Sequence, residues 1–355
     1  KDNITPPPAQ VPIWDNLPPL VSPINVPKPD VEFEIDTTND ASTVSSVIKN
    51  TFNHLENNKY QAVVFLGDTN TVMGSIGAAQ HNIPIIHIEG CMRSYDWRMP
   101  EEKYRKTIDH LSDRIYSYLP SYKQQGINEG ISDSIIKVTG NPIVDILEEF
   151  KEVFNTGDKF LDRNVIDFIR NEEFILATCH RRENIFDKKS LENIVNLLNQ
   201  ANKKIVFPMG YATQRQLKNF NLKLNNNILV IDPIGYLEFI YLLKKCNYCI
   251  TDSGTVVEEA CILGIPSIQM RYSTERPEVY DVSSSIKFDP TSNYKYDEVH
   301  TSVMELINSE WHHPFGDGTS SKLIVEDIIK LSKENNFDRH SKDDYDFDIS
   351  RSFLK

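Results

Sequence analysis

The sequence lacks several features that would place it in a broad class at once. No run approaches the roughly 18–20 apolar residues that a membrane-spanning helix needs, and no charged segment followed by an apolar one opens the chain as in a secretory leader. Positive charge is also scarce, since 38 lysines and arginines face 51 acidic residues and the net charge is −13. We therefore expect no nucleic-acid or membrane partner and a cytoplasmic location.

Cysteine is sparse as well. The five cysteines are an odd number, which does not suit a disulfide framework. Cys246 and Cys249 form a Cys-x-x-Cys pair of the kind used in metal or redox chemistry, but no second pair and no histidine pair follows. The pattern favours reduced structural cysteines, and we expect no metal site.

The prolines are unevenly placed. Nine of the nineteen lie within the first thirty residues, and proline lacks the N–H that a helix interior or a central strand requires. This composition predicts an extended Pro-rich arm over residues 1–38. At the other end, a polar stretch predicts a C-terminal tail over residues 331–355.

Between these segments, short apolar runs alternate with segments of helical periodicity. Such alternation is typical of parallel sheets with helices on both faces, and it occurs in two series. We predict an α/β fold of two doubly wound, Rossmann-like domains facing a cleft, over residues 39–155 and 156–330. Strands are expected at 62–66, 83–88, 114–119, 135–138, 174–178, 204–208, 228–231, 248–251 and 266–270, and helices at 42–57, 71–81, 101–113, 189–201, 236–245 and 256–263.

Polar and charged residues follow five of the predicted strands. Ligands of doubly wound folds bind at the carboxyl ends of the strands, so these residues are expected to line a site. The groups, in chain order, are Asp68; His87 and Glu89; His180, Arg181 and Arg182; Asp252, Ser253 and Gly254; and Arg271, Thr274, Glu275 and Arg276.

These residue types suit the binding and chemistry of a phosphorylated ligand. The segment 252–255 precedes a helix, whose free N–H groups can bind a phosphate. Three arginines (Arg181, Arg182, Arg276) can clamp a diphosphate. Three carboxylates (Asp68, Glu89, Glu101) can supply general acids and bases.

Each group also has a structural interpretation when taken alone. Asp68 can cap a helix, and Glu101 can complement a helix dipole. Arg181 and Arg182 can be a solvated basic pair, His180 a structural histidine, and the pair 258–259 a capping feature. The recurrence of such residues at successive strand ends favours the functional interpretation.

A set of short motifs carries these residues in a definite order over roughly residues 40–330. They are Gly67-Asp68-Thr69-Asn70-Thr71, Ile83-Pro84-Ile85-Ile86-His87-Ile88-Glu89-Gly90, Pro100-Glu101-Glu102, Thr139-Gly140-Asn141-Pro142, His180-Arg181-Arg182-Glu183-Asn184, Thr251-Asp252-Ser253-Gly254-Thr255, Thr274-Glu275-Arg276-Pro277-Glu278 and Pro314-Phe315-Gly316-Asp317-Gly318. Their order and spacing resemble those of the UDP-N-acetylglucosamine 2-epimerases.

The resemblance implies a GT-B-like fold, a UDP-sugar substrate, no metal or nicotinamide cofactor and a homodimer. It implies anti elimination of UDP across C1–C2 and re-addition, which inverts C2. By carry-over, the catalytic residues are Asp68, Glu89, Glu101 and His180, and the substrate-binding residues are Arg181, Arg182, Phe239 near uracil, Ser253, Gly254, Glu259 at the ribose, and Arg276.

Some positions depart from the family pattern. The N-terminal Gly-Thr-Arg-Pro-Glu motif has no match, which predicts a first domain truncated or altered at its N-terminus. Gly210 stands where a Pro-x-His turn has its histidine. The spacing from Glu89 to Glu101 resembles the branch acting on UDP-2-acetamido-2,6-dideoxy-L-hexoses, whereas the motif at 314–318 fits the N-acetylglucosamine branch.

Three alternatives stay open at this point. The chain could be a hydrolysing epimerase that releases UDP and the free sugar. It could be a non-catalytic UDP-sugar-binding or structural homologue. It could also be a glycosyltransferase of the same fold.

Overall fold

The computed structural model of the protein describes residues 28–293, 295–307, 309–334 and 337. Most of the predicted Pro-rich arm (1–27) and most of the predicted tail (335–355, apart from Phe337) lie outside the described residues. The chain divides into two compact units: the first contains the residues up to Asp145 and from Gly316 onward, and the second is Ile146–Phe315. The domain boundaries given above remain a prediction.

The first unit is an α/β structure around a parallel sheet. Within the described residues its strands follow the order β1-β2-β3-β4. Its elements are α1 Asp40–Asn57, β1 Val63–Leu66, α2 Gly74–Gln80, β2 Ile85–Ile88, α3 Pro100–Leu111, β3 Arg114–Ser117, α4 Pro120–Asn128, β4 Ile136–Val138, α5 Pro142–Glu149, which crosses into the second unit, and α15 Ser320–Glu334.

Burial in this sheet follows strand position. The central strand β2 is buried along most of its length, because helices cover both of its faces. The edge strand β1 alternates instead, with Phe65 buried and Leu66 64% exposed. Helix α2 lies close against α1 because Gly77 has no side chain, and a Cβ there would come within 2.9 Å of the α1 backbone.

The last described helix, α15, packs on the first sheet. Its Asp327 pairs with Arg114 at 2.8 Å and Lys137 at 2.7 Å, and it accepts a hydrogen bond from the Tyr116 hydroxyl at 2.9 Å. Asp145 accepts from the first N–H groups of the helix. The helix continues to Glu334, four residues into the predicted tail.

The second unit is a doubly wound α/β structure. Its described strands are all parallel and follow the order β10-β9-β8-β5-β6-β7. Its further elements are α6 Lys151–Phe154, α7 Arg163–Ile169, β5 Phe174–Thr178, α8 Arg182–Ile185, α9 Lys188–Asn199, β6 Lys204–Pro208, α10 Tyr211–Asn219, β7 Ile228–Ile231, α11 Tyr236–Lys245, β8 Tyr248–Thr251, α12 Gly254–Ile262, β9 Ser267–Met270, α13 Glu278–Asp281, β10 Ser285–Phe288 and α14 Tyr296–Leu306.

The strand order reverses between β5 and β8. The chain leaves β5 toward β6 and β7, then returns to the other side of β5 at β8. The crevice at such a switch point is where doubly wound folds bind ligands. The predicted α/β class with two Rossmann-like domains is therefore confirmed.

The cysteines are structural, as predicted. All five are buried and free. Burial raises the pKa of the Cys246 thiol to about 12, so this thiol stays protonated near neutral pH.

Candidate active site

Asp68 lies just beyond the end of β1. Its carboxylate accepts a charge-assisted hydrogen bond from Arg105 of α3. The cap of the following short 3₁₀ helix is Thr69, which makes no side-chain cap bond. Asp68 is thus not a helix cap; a salt bridge holds it, and its side chain remains 24% exposed.

Two adjacent glutamates begin α3 and differ completely in their surroundings. Glu102 is 1% exposed. It accepts bonds from Ser94 N at 3.0 Å, Ser94 Oγ at 2.9 Å and Tyr95 N at 3.0 Å, and it pairs with Arg105 at 3.0 Å. Glu101 is half-buried and makes no hydrogen bond or ion pair with any residue that the structure describes. Glu102 therefore holds the preceding loop in place, whereas Glu101 presents an uncommitted carboxylate.

Glu89 follows β2 with a strained backbone. Its φ is +76°, and Cys91 and Tyr95 are also left-handed, at +67° and +56°. Such conformations cost roughly 1–3 kcal/mol each and concentrate at functional sites. The Tyr118 hydroxyl donates to Glu89 Oε2 at 3.1 Å. This bond holds the Glu89 side chain at the end of β2. Because β1 and β2 are parallel neighbours, Asp68 lies at the adjacent strand end.

In the second unit, His180 lies at the switch point between β5 and β8. Asp252, fully buried after β8, accepts from the N–H groups of His180 at 3.0 Å and Arg181 at 2.8 Å, and from Asn184 Nδ2 at 3.1 Å. His180 Nδ1 lies 3.2 Å from the same carboxylate. The imidazole is 59% exposed, so a buried carboxylate orients a histidine whose other nitrogen is open to solvent.

Arg276 lies over the N-terminus of α12. A Cβ built on Gly254 would lie 2.6 Å from Arg276 Nη1, so only glycine allows this approach. Ser253 caps the helix by accepting from the Val256 N–H at 3.4 Å. A cation at the positive end of a helix dipole is unfavourable by itself. An anion bound there would be attracted both by Arg276 and by the N-terminus of α12.

A buried charge cluster surrounds this arginine. Glu275 pairs with Arg276, with Arg271 at 3.0 Å and with Arg181 at 3.6 Å, and Glu258 pairs with Arg276 Nε at 3.0 Å. Three guanidinium groups and two carboxylates thus meet in this cluster. Arg182, the first residue of α8, is exposed. Arginine side chains beside a helix N-terminus suit a diphosphate.

Glu259 is a second kind of buried acid on α12. It is 2% exposed, and the Tyr236 hydroxyl donates to its Oε1 at 2.8 Å. Burial raises the pKa of Glu259 to about 7, against the smaller opposing effect of the Tyr236 bond. Phe239 is half-buried one turn further along the same helix as Tyr236.

This raised pKa predicts a pH dependence of stability. An acid whose folded pKa exceeds its unfolded value adds stability that is full below about pH 4.5 and is lost as the pH rises through about 7. The melting temperature of the wild type relative to Glu259→Gln is therefore expected to fall, by roughly 5 °C, between pH 5 and pH 8. Scanning calorimetry of both proteins measures this difference; a difference independent of pH would show that Glu259 ionises normally.

Several residues at these strand ends were not assigned a role from the sequence. Arg105 is signalled by its i, i+3 spacing from Glu102, and Tyr118 by its place at the end of the strand beside β2. Tyr236 carries no comparable signal, because its contact with Glu259 joins separate parts of the chain. The strand-end position of Asp252 placed it at the site, but its contact with His180 could not be predicted from the sequence.

The described residues contain no group of three or more histidine, cysteine, aspartate or glutamate side chains arranged to hold a metal ion. No helix in the described ranges has the length and apolar character to cross a bilayer.

Two parallel α/β units, one with carboxylates at its strand ends and one with a cationic cluster, have the features expected of enzymes that bind nucleotide ligands. The family model for UDP-N-acetylglucosamine 2-epimerase matches residues 20–329. A UDP-N-acetylglucosamine 2-epimerase of Methanococcus maripaludis is 36% identical over 321 residues, which cover 87% of this chain and 86% of that protein. A UDP-2,3-diacetamido-2,3-dideoxy-D-glucuronate 2-epimerase of Pseudomonas aeruginosa is 30% identical over 87% of this chain and 86% of its own length.

A solved structure agrees with these relatives. The Methanocaldococcus jannaschii UDP-GlcNAc 2-epimerase, crystallised with UDP-GlcNAc and UDP, matches with a TM-score of 0.76 at 34% identity, over 86% of this chain and 85% of that one. The chain therefore belongs to the UDP-N-acetylglucosamine 2-epimerase family, and it is an epimerase. The resemblance drawn from the motifs is confirmed, and none of the three alternatives gains support. That the first domain is truncated or altered at its N-terminus remains a prediction.

Proposed function

We propose that this enzyme inverts C2 of a UDP-N-acetylhexosamine by anti elimination of UDP and its re-addition. The observation that carries this proposal is the uncommitted carboxylate of Glu101, on the helix whose Arg105 holds Asp68. Removal of the weakly acidic C2 proton needs a positioned base, and re-protonation of the opposite face needs an acid.

The first unit supplies the acid–base groups. We assign Asp68, Glu89 and Glu101 to proton transfer at C2. The three differ in environment: Asp68 is paired with a guanidinium, Glu89 accepts from a phenol, and Glu101 has no described partner.

The second unit supplies the UDP site. We assign Arg181, Arg182, Arg276, Ser253 and Gly254 to the diphosphate, because positive charge and free N–H groups meet at the start of α12. Holding the diphosphate stabilises it as a leaving group and keeps it for re-addition. His180, oriented by Asp252, is placed to protonate or hydrogen-bond the departing oxygen.

The remaining contacts of UDP follow from α11 and α12. We assign Glu259 to the ribose hydroxyls and Phe239 to the uracil face. The Tyr236 hydroxyl bonded to Glu259 shows that this carboxylate accepts from a hydroxyl at 2.8 Å. The reaction so described uses protein groups alone and requires no metal or nicotinamide.

Product analysis tests the proposal against hydrolysis. With UDP-N-acetylglucosamine, phosphorus NMR is expected to show a second UDP-sugar at equilibrium with the first and no growth of free UDP. Free UDP that accumulates in step with an unphosphorylated sugar would identify a hydrolysing enzyme. Stabilisation by UDP without any turnover would identify a binding protein.

Two further expectations stand as proposals. We propose a homodimer in the cytoplasm, on the resemblance and on the acidic composition. Light scattering of the purified protein measures the molar mass and so tests the homodimer. A monomer mass at the concentration used for activity assays would contradict it.

A further inference from the structure

His87 is the most deeply enclosed titratable group at the ends of β1 and β2. It is fully buried. Its Nε2 lies 2.8 Å from the carbonyl oxygen of Gly67, and its Nδ1 lies 2.7 Å from Asp109 Oδ1. A carbonyl oxygen only accepts hydrogen bonds, so Nε2 must carry a proton.

Asp109 fixes the state of the other ring nitrogen. Its second oxygen accepts from Arg93 Nη1 at 2.7 Å and from the Cys91 N–H at 3.0 Å, which are the contacts of an ionised carboxylate. Facing an ionised acceptor, Nδ1 carries a proton too. Burial alone would lower the pKa of His87, but the bond and charge of Asp109 outweigh it and raise the pKa; the pKa of Asp109 is lowered in turn.

The charges around this pair form a chain. Arg93 also donates to Glu129 at 2.9 and 2.8 Å, and Glu129 pairs with Lys106. The charged groups recorded against His87 are Asp109 from α3 and Glu89 from the end of its own strand; the β1 side presents the Gly67 carbonyl.

The contacts of this group fall on both catalytic turns. Gly67, whose carbonyl His87 holds, directly precedes Asp68. Glu89 follows His87 by two residues, and the Cys91 N–H behind it is fixed by Asp109. One buried cation thus joins the backbone of the two turns that carry Asp68 and Glu89.

We propose that His87 is an imidazolium at neutral pH that positions Asp68 and Glu89. It is a positioning residue, since its ring contacts the Gly67 carbonyl and Asp109 and acts on the two carboxylates through them. This role rests on the proposed function of the two carboxylates. A neutral imidazole at residue 87 has one N–H and could donate to only one of the Gly67 carbonyl and Asp109.

His300 in the second unit gives a matched control. It is half-buried, with Nε2 2.8 Å from the Leu197 carbonyl oxygen and Nδ1 2.9 Å from the Tyr248 hydroxyl. A phenol can donate to Nδ1, so a neutral ring satisfies both contacts. Burial lowers the pKa of His300. Each histidine ring therefore makes two hydrogen bonds, but only the contacts of His87 require a charged ring.

Nitrogen NMR of the histidine rings tests the charge directly on the wild-type protein. His87, identified by the signal missing in His87→Gln, is expected to carry protons on both ring nitrogens in a sample at about pH 7.5, where an ordinary histidine carries one. His300 is expected to carry one at the same pH. A His87 ring with a single proton there would overturn the proposal, whether or not the protein epimerises UDP-sugars.

Kinetics tests the positioning role. His87→Gln is expected to lose about 100-fold in kcat, with KM changed less than about threefold. The acid limb of its pH–rate profile is expected to move to higher pH, because a cation near Glu89 is gone. His300→Gln should keep the wild-type kcat and profile. An unchanged profile and kcat in His87→Gln would overturn the role, whereas an inactive wild type with a doubly protonated His87 would overturn the proposed function alone.

Discussion

Glu101→Gln is expected to lose about a thousandfold in kcat while melting at the wild-type temperature. The loss follows from replacing a group that transfers a proton by an amide that cannot. The unchanged stability follows from the absence of any described hydrogen bond or ion pair to Glu101. Initial rates with saturating UDP-sugar and a calorimetric melt of the same sample measure both.

The neighbouring residue supplies the control. Glu102→Gln keeps the size of the side chain but turns an amide N–H₂ toward groups that only donate, namely Ser94 N, Tyr95 N and Arg105. Leaving such groups unpaired costs roughly 2 kcal/mol, so its melting temperature should fall by about 4–8 °C. Full activity in Glu101→Gln, or a larger loss of stability there than in Glu102→Gln, would contradict the division of roles.

Gly254→Ala is expected to weaken binding of UDP by about 10- to 100-fold. The added methyl would lie 2.6 Å from Arg276 Nη1 and 2.8 Å from Glu275 Oε1. The end of a flexible side chain can move away, so the unit should fold while Arg276 leaves the start of α12. Titration calorimetry with UDP measures the affinity, and circular dichroism checks the fold.

Gly210→Ala is the matched substitution at another helix start. Gly210 precedes α10, and a Cβ there would meet nothing within 4 Å. UDP affinity should stay within about twofold of the wild type. Equal losses in both variants would show that the arginine at α12 does not hold the diphosphate.

Strands in the second unit could be predicted closely because local sequence determines them. The apolar runs 174–178, 204–208, 228–231 and 248–251 coincide with β5, β6, β7 and β8. The helix Ser320–Glu334 could not be placed, since it docks on the first sheet through Asp327 and its partners Arg114 and Lys137, about two hundred residues away. Such pairings leave no trace in local periodicity.

In the candidate site, too, some features could be predicted from the sequence and others depend on packing. Strand-end position pointed to Asp68, Glu89 and His180. It did not show that Glu102, rather than Glu101, is buried and hydrogen-bonded to the preceding loop, because two adjacent glutamates look alike in a sequence. The charge of His87 depends on what its two nitrogens face, which only the packing of β1, β2 and α3 decides.

The most direct test of C2 epimerisation is proton NMR in D₂O. The protein is mixed separately with UDP-N-acetylglucosamine and with a UDP-2-acetamido-2,6-dideoxy-L-hexose, and Glu101→Gln serves as the blank. Proton transfer at C2 predicts that one sugar loses its H2 signal as a new anomeric UDP-sugar signal grows, and the sugar that responds identifies the substrate branch. If both sugars keep H2 at high protein concentration, with no new anomeric signal, the proposed reaction is wrong.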